Sequence, residues 1–155
     1  MKTHAYKVQV EWTGNTGEGN KTYRNYSRNH VITCEGKSPL HASSDASFLG
    51  DPARYNPEEL LVASLSSCHM LWYLHLCSVN QITVVGYWDS ASGTMQENQD
   101  GSGQFIEITL KPLVKVRSGD DPAKALALHE KAHSLCFIAR SVNFPVTVVG
   151  RIEAA

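Results

Sequence analysis

The stretch NPEELLVASLSSCHMLWYLHLCSV, residues 56 to 79, decides the fold because it is the longest predominantly apolar run of the chain. Asn56 is a favourable N-cap residue, and Pro57 is favoured in the first helical turn. Two glutamates follow, where carboxylates stabilise the positive end of a helix dipole. These signals predict a helix that begins at Asn56-Pro57 and runs to about Ser78.

The same stretch has the length to span a bilayer, but polar residues interrupt it and no Lys or Arg cluster flanks it. The interrupting residues are Ser64, Ser66, Ser67, His69 and His75. We therefore expect a buried helix in a soluble core and no membrane partner. The opening residues MKTHAYKVQVEWTG lack an apolar run long enough for a signal peptide, which predicts a cytoplasmic protein.

Length and composition set the remaining limits. A chain of 155 residues suits one domain, residues 1–155. The formal net charge of -1 gives no reason to expect a nucleic-acid partner. In a reducing compartment the four cysteines are catalytic or inert rather than structural disulfides. They are Cys34, Cys68, Cys77 and Cys136.

Segments with strand patterns surround the helix, and a second helix follows later. The predicted elements are strands at 5–14 and 29–37, a weak third strand at the start of 39–55, the first helix, strands at 82–95 and 104–118, a second helix at 121–141 and a last strand at 144–154. The order β-β-(β)-α-β-β-α-β is typical of an α+β fold. We expect two long central helices packed against an antiparallel sheet.

Each predicted helix carries one thiol on an apolar face. In the first helix, Cys68 shares its face with Leu61, Leu65, Leu71, Trp72 and His75. In the second, Cys136 shares its face with Ala125, Leu128, Ala132, Leu135 and Ala139. If these faces pack together, the two sulfurs can meet. The alternative is that both are inert core residues, as buried free cysteines often are.

The residues around these cysteines resemble a known family. NPEELLVASLSSC, residues 56 to 68, resembles the segment before the reactive cysteine of the OsmC/Ohr family of organic hydroperoxide reductases. AHSLC, residues 132 to 136, resembles the family's second-cysteine segment, and CHMLWYLHLC resembles an OsmC-like branch of it. The resemblance covers nearly the whole chain and implies an intertwined homodimer. Phe137 stands where family members often carry proline.

This resemblance implies a thiol-dependent peroxidase that needs no cofactor and no metal. Cys68 would attack the peroxide and become a sulfenic acid, and Cys136 would condense with it to form a disulfide. A lipoyl-type dithiol would then reduce the disulfide by exchange. An apolar lining that favours organic hydroperoxides is expected from Leu61, Leu65, Trp72 and Phe137.

The resemblance also implies an arginine that keeps Cys68 anionic and is held by Glu58. Arg28 and Arg54 are the candidates, with Arg24 as the third. Ten residues of helix separate Glu58 from Cys68 by about 15 Å, so the two cannot flank one small site directly. We therefore expect a bridging arginine or a site shared between two subunits.

The pentapeptide HEKAH, residues 129 to 133, leaves other functions open. It matches the His-Glu-x-x-His signature of zinc proteases, but no continuation supplies the usual third ligand. There are two alternatives. One is a metal site that combines these histidines with Cys136. The other is a non-catalytic OsmC-like protein that binds a small molecule or a metal. Otherwise His129 and His133 flank the helix, while His69 and His75 are core or interface histidines. Cys34 and Cys77 are expected to be inert, with Cys77 facing away from Cys68.

Overall fold

Helix α1 runs from Pro57 to Val79, as its capping signals predict. The computed structural model describes residues 1–155, which divide into a first unit, Met1–Leu60, and a second unit, Leu61–Ala155. At the start of α1, Asn56 Oδ1 accepts from the Glu59 amide at 2.8 Å, and Glu59 Oε2 accepts from the Asn56 amide at 3.2 Å. This reciprocal capping box satisfies two amides that the helix itself leaves unpaired.

The buried face of α1 differs from the predicted one. The buried residues are Leu65, His69, Tyr73 and Cys77, each one turn after the last, whereas Leu71 is 63% exposed. The predicted face included the bulky side chains of Leu71 and Trp72. The face that is buried instead includes His69, whose ring has a polar partner in the core. By length and composition alone α1 could cross a membrane, a test that core helices of soluble proteins also pass.

The first unit contains one antiparallel sheet. Its strands are β1 (Gln9–Trp12), β2 (His30–Thr33) and β3 (Leu40–Ala42), in the order β1-β2-β3. The predicted strands exist but are shorter at both ends. A loop follows β1, and it is tied by the Trp12 indole, which donates to the Ser27 carbonyl at 2.8 Å.

The second unit contains two three-stranded sheets. Its strands are β4 (Val84–Asp89), β5 (Ser92–Glu97), β6 (Gly103–Leu110), β7 (Pro112–Val116), β8 (Val146–Val148) and β9 (Arg151–Ala154). One sheet has the order β4-β7-β9 and the other β5-β6-β8. The three long predicted strands are thus each divided in two. The sheets are mixed rather than wholly antiparallel, since β8 and β9 pair in parallel with their neighbours.

The half-buried carboxylate of Asp89 explains where the predicted strands 82–95 and 104–118 divide. Asp89 Oδ1 accepts from the Lys111 amide at 2.7 Å, and Asp89 Oδ2 accepts from the Ser66 hydroxyl at 2.6 Å. The side chain takes the place of a ladder partner between β6 and β7, and it ties this bend to α1. The alternating sequence pattern continues through the bend, so periodicity alone does not reveal it.

Helix α2 runs from Pro122 to Leu135 and ends earlier than predicted. Asp121 caps it by accepting from the amides of residues 123 and 124, as the cap-then-proline signal predicts. Cys136 has extended dihedral angles, φ -65° and ψ 112°, so it lies just beyond the helix rather than within it. The chain turns here because Ile138 and Ala139 pack into an apolar cluster against β6.

Two apolar clusters form the core of the second unit. One joins the later part of α1 and α2 to the β4-β7-β9 sheet, with Tyr73, Cys77, Ile82, Val114, Val116, Ala125 and Ala132 buried. The other joins the earlier part of α1 to the β5-β6-β8 sheet, with Leu65, Ile108 and Leu110 buried. The predicted α+β class is confirmed.

Candidate active site

Cys68 and Cys136 come together in the second unit. Cys68 lies about three turns into α1 and is half-buried, whereas Cys136 is the first residue after α2 and is only 1% exposed. Their thiols lie close enough for Cys68 to affect the ionisation of Cys136, and both cysteines are free. The pair is therefore a dithiol in which one sulfur is more accessible than the other.

The two sulfurs differ in chemistry as well as in access. Burial, and next the interaction of the protonated Cys136 thiol with the neighbouring Cys68 sulfur, raise the pKa of Cys136 to about 11. The backbone amides of Ala139 and Ile138 act in the opposite direction, and the Ala139 amide lies 3.4 Å from Cys136 Sγ. Cys136 is accordingly a protonated thiol at neutral pH, with an amide donor in place to stabilise its anion when that forms.

An aromatic pair accompanies the dithiol. Trp72 lies one turn after Cys68, Phe137 directly follows Cys136, and their rings meet edge to face with centroids 5.5 Å apart. Phe137 is 67% exposed. The predicted role of Leu65 as a pocket lining is wrong, because Leu65 is wholly buried in the core.

Glu58 lies in the first turn of α1 and makes no ion pair or side-chain hydrogen bond within the first unit, where Glu59 forms the cap instead. The carboxylate of Glu58 is thus free for another partner. Arg54, one of the predicted partners, forms an ion pair with Asp51 at 3.4 Å.

Arg28, the other predicted partner, is held locally. Its guanidinium carbon lies 4.5 Å from the centroid of the Tyr23 ring and 4.0 Å from that of the Tyr26 ring. The same guanidinium donates to the backbone carbonyls of both tyrosines. Arg24 is exposed. The catalytic roles of these arginines and of Glu58 remain predictions.

The HEKAH histidines take part in a contact that sequence reasoning missed. His129 is only 5% exposed, and its Nδ1 lies 3.0 Å from Nε2 of His69, which is 1% exposed. Burial lowers the pKa of each ring to about 4. No group of three or more His, Cys, Asp or Glu side chains is arranged to hold a metal ion, which the zinc-protease alternative requires. The buried series 65, 69, 73 and 77 has helical spacing, but hydrophobicity alone did not favour it over the face that carries Leu71.

The other two cysteines, Cys77 and Cys34, have different surroundings from the dithiol. Cys77 is 1% exposed, and burial raises the pKa of its thiol, an effect that the neighbouring Tyr73 hydroxyl opposes. Cys34 follows β2 in the first unit and is half-buried. His75, predicted as a core or interface histidine, is exposed in this chain.

Comparison with known proteins shows which family the chain belongs to. Residues 50–149 match the family model described as OsmC-like protein. An OsmC-like protein of unknown function from Vibrio cholerae is 31% identical, with a TM-score of 0.84 over 97% of this chain and 100% of that one. No curated protein matches the sequence.

Two more distant structures share the fold. An organic hydroperoxide resistance protein OsmC from Legionella pneumophila is 18% identical, with a TM-score of 0.67 over 97% of this chain and 99% of that one. An organic hydroperoxide resistance protein from Elizabethkingia anophelis is 20% identical, also with a TM-score of 0.67, over 100% of both chains. The family match and the Vibrio cholerae relative together establish that this chain belongs to the OsmC-like family.

Proposed function

We propose that the protein reduces organic hydroperoxides through a thiol cycle at Cys68 and Cys136. The observation that carries the proposal is the proximity of two free thiols, one on α1 and one just after α2. Neighbouring thiols can reach disulfide bonding distance through side-chain movements. Family membership and the hydroperoxide resistance proteins among the structural relatives agree with this chemistry.

The cycle begins at the more accessible sulfur. The Cys68 thiolate attacks the terminal peroxide oxygen, the O–O bond breaks, and the alcohol leaves after taking up a proton. Cys68 is then a sulfenic acid. Cys136, after losing its proton, attacks that sulfur, forms the disulfide and releases the oxygen as water. A dithiol of the lipoyl type then donates two electrons by two exchange steps and leaves as its own disulfide.

The assignment of the two roles follows from access and protonation. Cys136 is 1% exposed and its pKa is raised to about 11, so it meets peroxide poorly and is rarely anionic at neutral pH. Both properties suit a resolving thiol, which reacts only after a sulfenic acid has formed beside it. Cys68 lacks such burial and suits the first attack.

A cation is needed to hold Cys68 as a thiolate. The dipole of α1 fades within its first turn, and Cys68 lies about three turns in. We assign this role to Arg28 or Arg54, with Glu58 as the carboxylate that orients the guanidinium. The uncommitted Glu58 carboxylate supports that assignment.

A homodimer with the site at its subunit interface is part of the proposal. Large apolar side chains remain exposed on the second unit, including Leu71 at 63%, Trp88 at 58% and Phe137 at 67%. Exposed apolar groups of this size are typical of surfaces that a partner covers. A second copy of this chain would cover them and would supply the charged groups to Cys68. We expect this assembly in the reducing cytoplasm.

The test is thiol-dependent consumption of tert-butyl hydroperoxide by the wild type and three variants. Cys68→Ser should abolish turnover, Cys136→Ser should abolish turnover with dithiols, and Cys34→Ser should match the wild type as the control. An inactive wild type would instead support the non-catalytic binding function. An active Cys68→Ser variant would overturn the assignment of the attacking thiol.

A further inference from the structure

Two polar contacts join α1 to α2 beside the thiol pair. His69 Nε2 and His129 Nδ1 are 3.0 Å apart, and the Tyr73 hydroxyl donates to the Ala125 carbonyl at 3.0 Å. The rings form one stack, with centroids 3.9 Å apart for Tyr73 and His129 and 5.3 Å apart for His69 and His129. All four residues are buried.

The spacing of these contacts fixes how far one helix is shifted along the other. His69 and Tyr73 are one turn apart on α1, and His129 and Ala125 are one turn apart on α2 in the opposite direction. A slip of one turn would break both contacts and move α1 by about 5.4 Å along α2. A disulfide requires sulfurs about 2 Å apart, so the slipped arrangement could not form one between Cys68 and Cys136.

The histidine contact is a costly way to hold two helices together. Nδ1 of His69 and Nε2 of His129 are buried and have no hydrogen-bond partner. Whichever ring donates across the pair, one N–H and one lone pair stay unsatisfied, which is unfavourable in a buried site. Two apolar side chains of similar volume would avoid this cost, so stability alone does not account for the pair.

Gly150 shows that the chain leaves room for the His129 ring. A Cβ atom at position 150 would lie 2.5 Å from His129 Cδ2 and 2.7 Å from His129 Nε2. No side chain can occupy that position unless the ring moves. Replacing Gly150 therefore disturbs the histidine contact while both histidines remain.

We propose that the His69–His129 hydrogen bond is a positioning contact, which selects the one helix register in which Cys68 and Cys136 can form their disulfide. This inference rests on the proposed function, because it assumes that these two thiols form that bond. A directional hydrogen bond is satisfied at one register only, whereas apolar side chains tolerate several.

The test compares an apolar pair with a polar pair. His69→Leu with His129→Leu removes the hydrogen bond and nearly keeps the volume, whereas His69→Gln with His129→Asn keeps polar atoms near the original Nε2 and Nδ1. For each protein, the effective molarity of the Cys68–Cys136 disulfide is measured by equilibration with a dithiol, and the free energy of unfolding is measured alongside. A role in packing alone would change only the second quantity.

We expect the apolar pair to be at least as stable as the wild type but to have an effective molarity at least tenfold lower. Tenfold corresponds to a disulfide that is easier to reduce by about 30 mV. The polar pair should recover to within about threefold of the wild type. Gly150→Ala should lower the effective molarity in the same direction, because it displaces the ring.

The two proposals fail in different ways. A wild type that forms no Cys68–Cys136 disulfide overturns the proposed function. A wild type that forms it, with the apolar pair within threefold of the same effective molarity, overturns the positioning role alone. If the apolar pair does not fold, Gly150→Ala decides, and an unchanged effective molarity in that variant rejects the inference.

Discussion

Acid should destabilise this protein through its two buried histidines. Burial lowers the pKa of His69 and of His129 from 6.5 to about 4. The next cause is the charge of His133 for His69, and the charge of His69 for His129. The folded-state pKa is therefore below the unfolded-state pKa. The unfolded chain binds protons first, so stability is full above pH 6.5 and falls as the pH drops towards 4.

The magnitude follows from the two pKa values. For one ring, linkage between an unfolded pKa of 6.5 and a folded pKa of about 4 gives a loss of about 2 kcal/mol between about pH 7.5 and pH 5. The two rings together give about 4 kcal/mol. This is a large fraction of the 5–15 kcal/mol by which domains are typically stable.

The assay is urea unfolding at both pH values for the wild type and for the double variant His69→Gln, His129→Asn. The variant keeps polar atoms in the contact but cannot bind these protons, so it should lose about 4 kcal/mol less than the wild type on acidification. His75→Gln, at an exposed histidine of the same helix, serves as the control and should behave like the wild type. Equal acid losses in the wild type and the double variant would refute the reasoning, because carboxylate effects are common to both.

Three further outcomes are expected. Asn56→Ala should lower the free energy of unfolding by about 1 kcal/mol because it removes the cap of α1, whereas Asn56→Asp should retain the cap and the stability. Equal losses of unfolding free energy in the two variants would contradict the capping role. Leu65→Ala should cost about 2–5 kcal/mol in denaturant unfolding, because the side chain is wholly buried and leaves a cavity; a loss below 1 kcal/mol would show that the site is not packed as described. Iodoacetamide at neutral pH should alkylate Cys68 well before Cys136, whose thiol is buried and has a pKa of about 11, and the reverse order in peptide mapping would exchange their roles.

The fold was largely readable from the chain because its helices begin with strong local signals. Asn56-Pro57 and Asp121-Pro122 fix two helix starts through caps that involve only neighbouring residues. The divided strands were not readable, because the division depends on Asp89 accepting from Lys111 and Ser66, which are distant in sequence. The early end of α2 likewise depends on tertiary packing of the residues after Cys136.

The candidate site was readable in part. A thiol on or beside each long helix led to the expectation that Cys68 and Cys136 meet, and the structure places their thiols close together. The predicted faces were nevertheless wrong in detail, since α1 buries His69 and Cys77 while Leu71 stays exposed. Helical periodicity ranks positions by hydrophobicity, so it could not anticipate a buried face on which a histidine is paired with another histidine.

The most direct measurement is peptide mapping by mass spectrometry after the reduced protein has reacted with one equivalent of tert-butyl hydroperoxide and no reductant. We predict a disulfide between Cys68 and Cys136 as the main product in the wild type, and a sulfenic acid on Cys68 that dimedone traps in Cys136→Ser. Unreacted peroxide with all four cysteines still free, or oxidation confined to Cys34 or Cys77, would contradict the account.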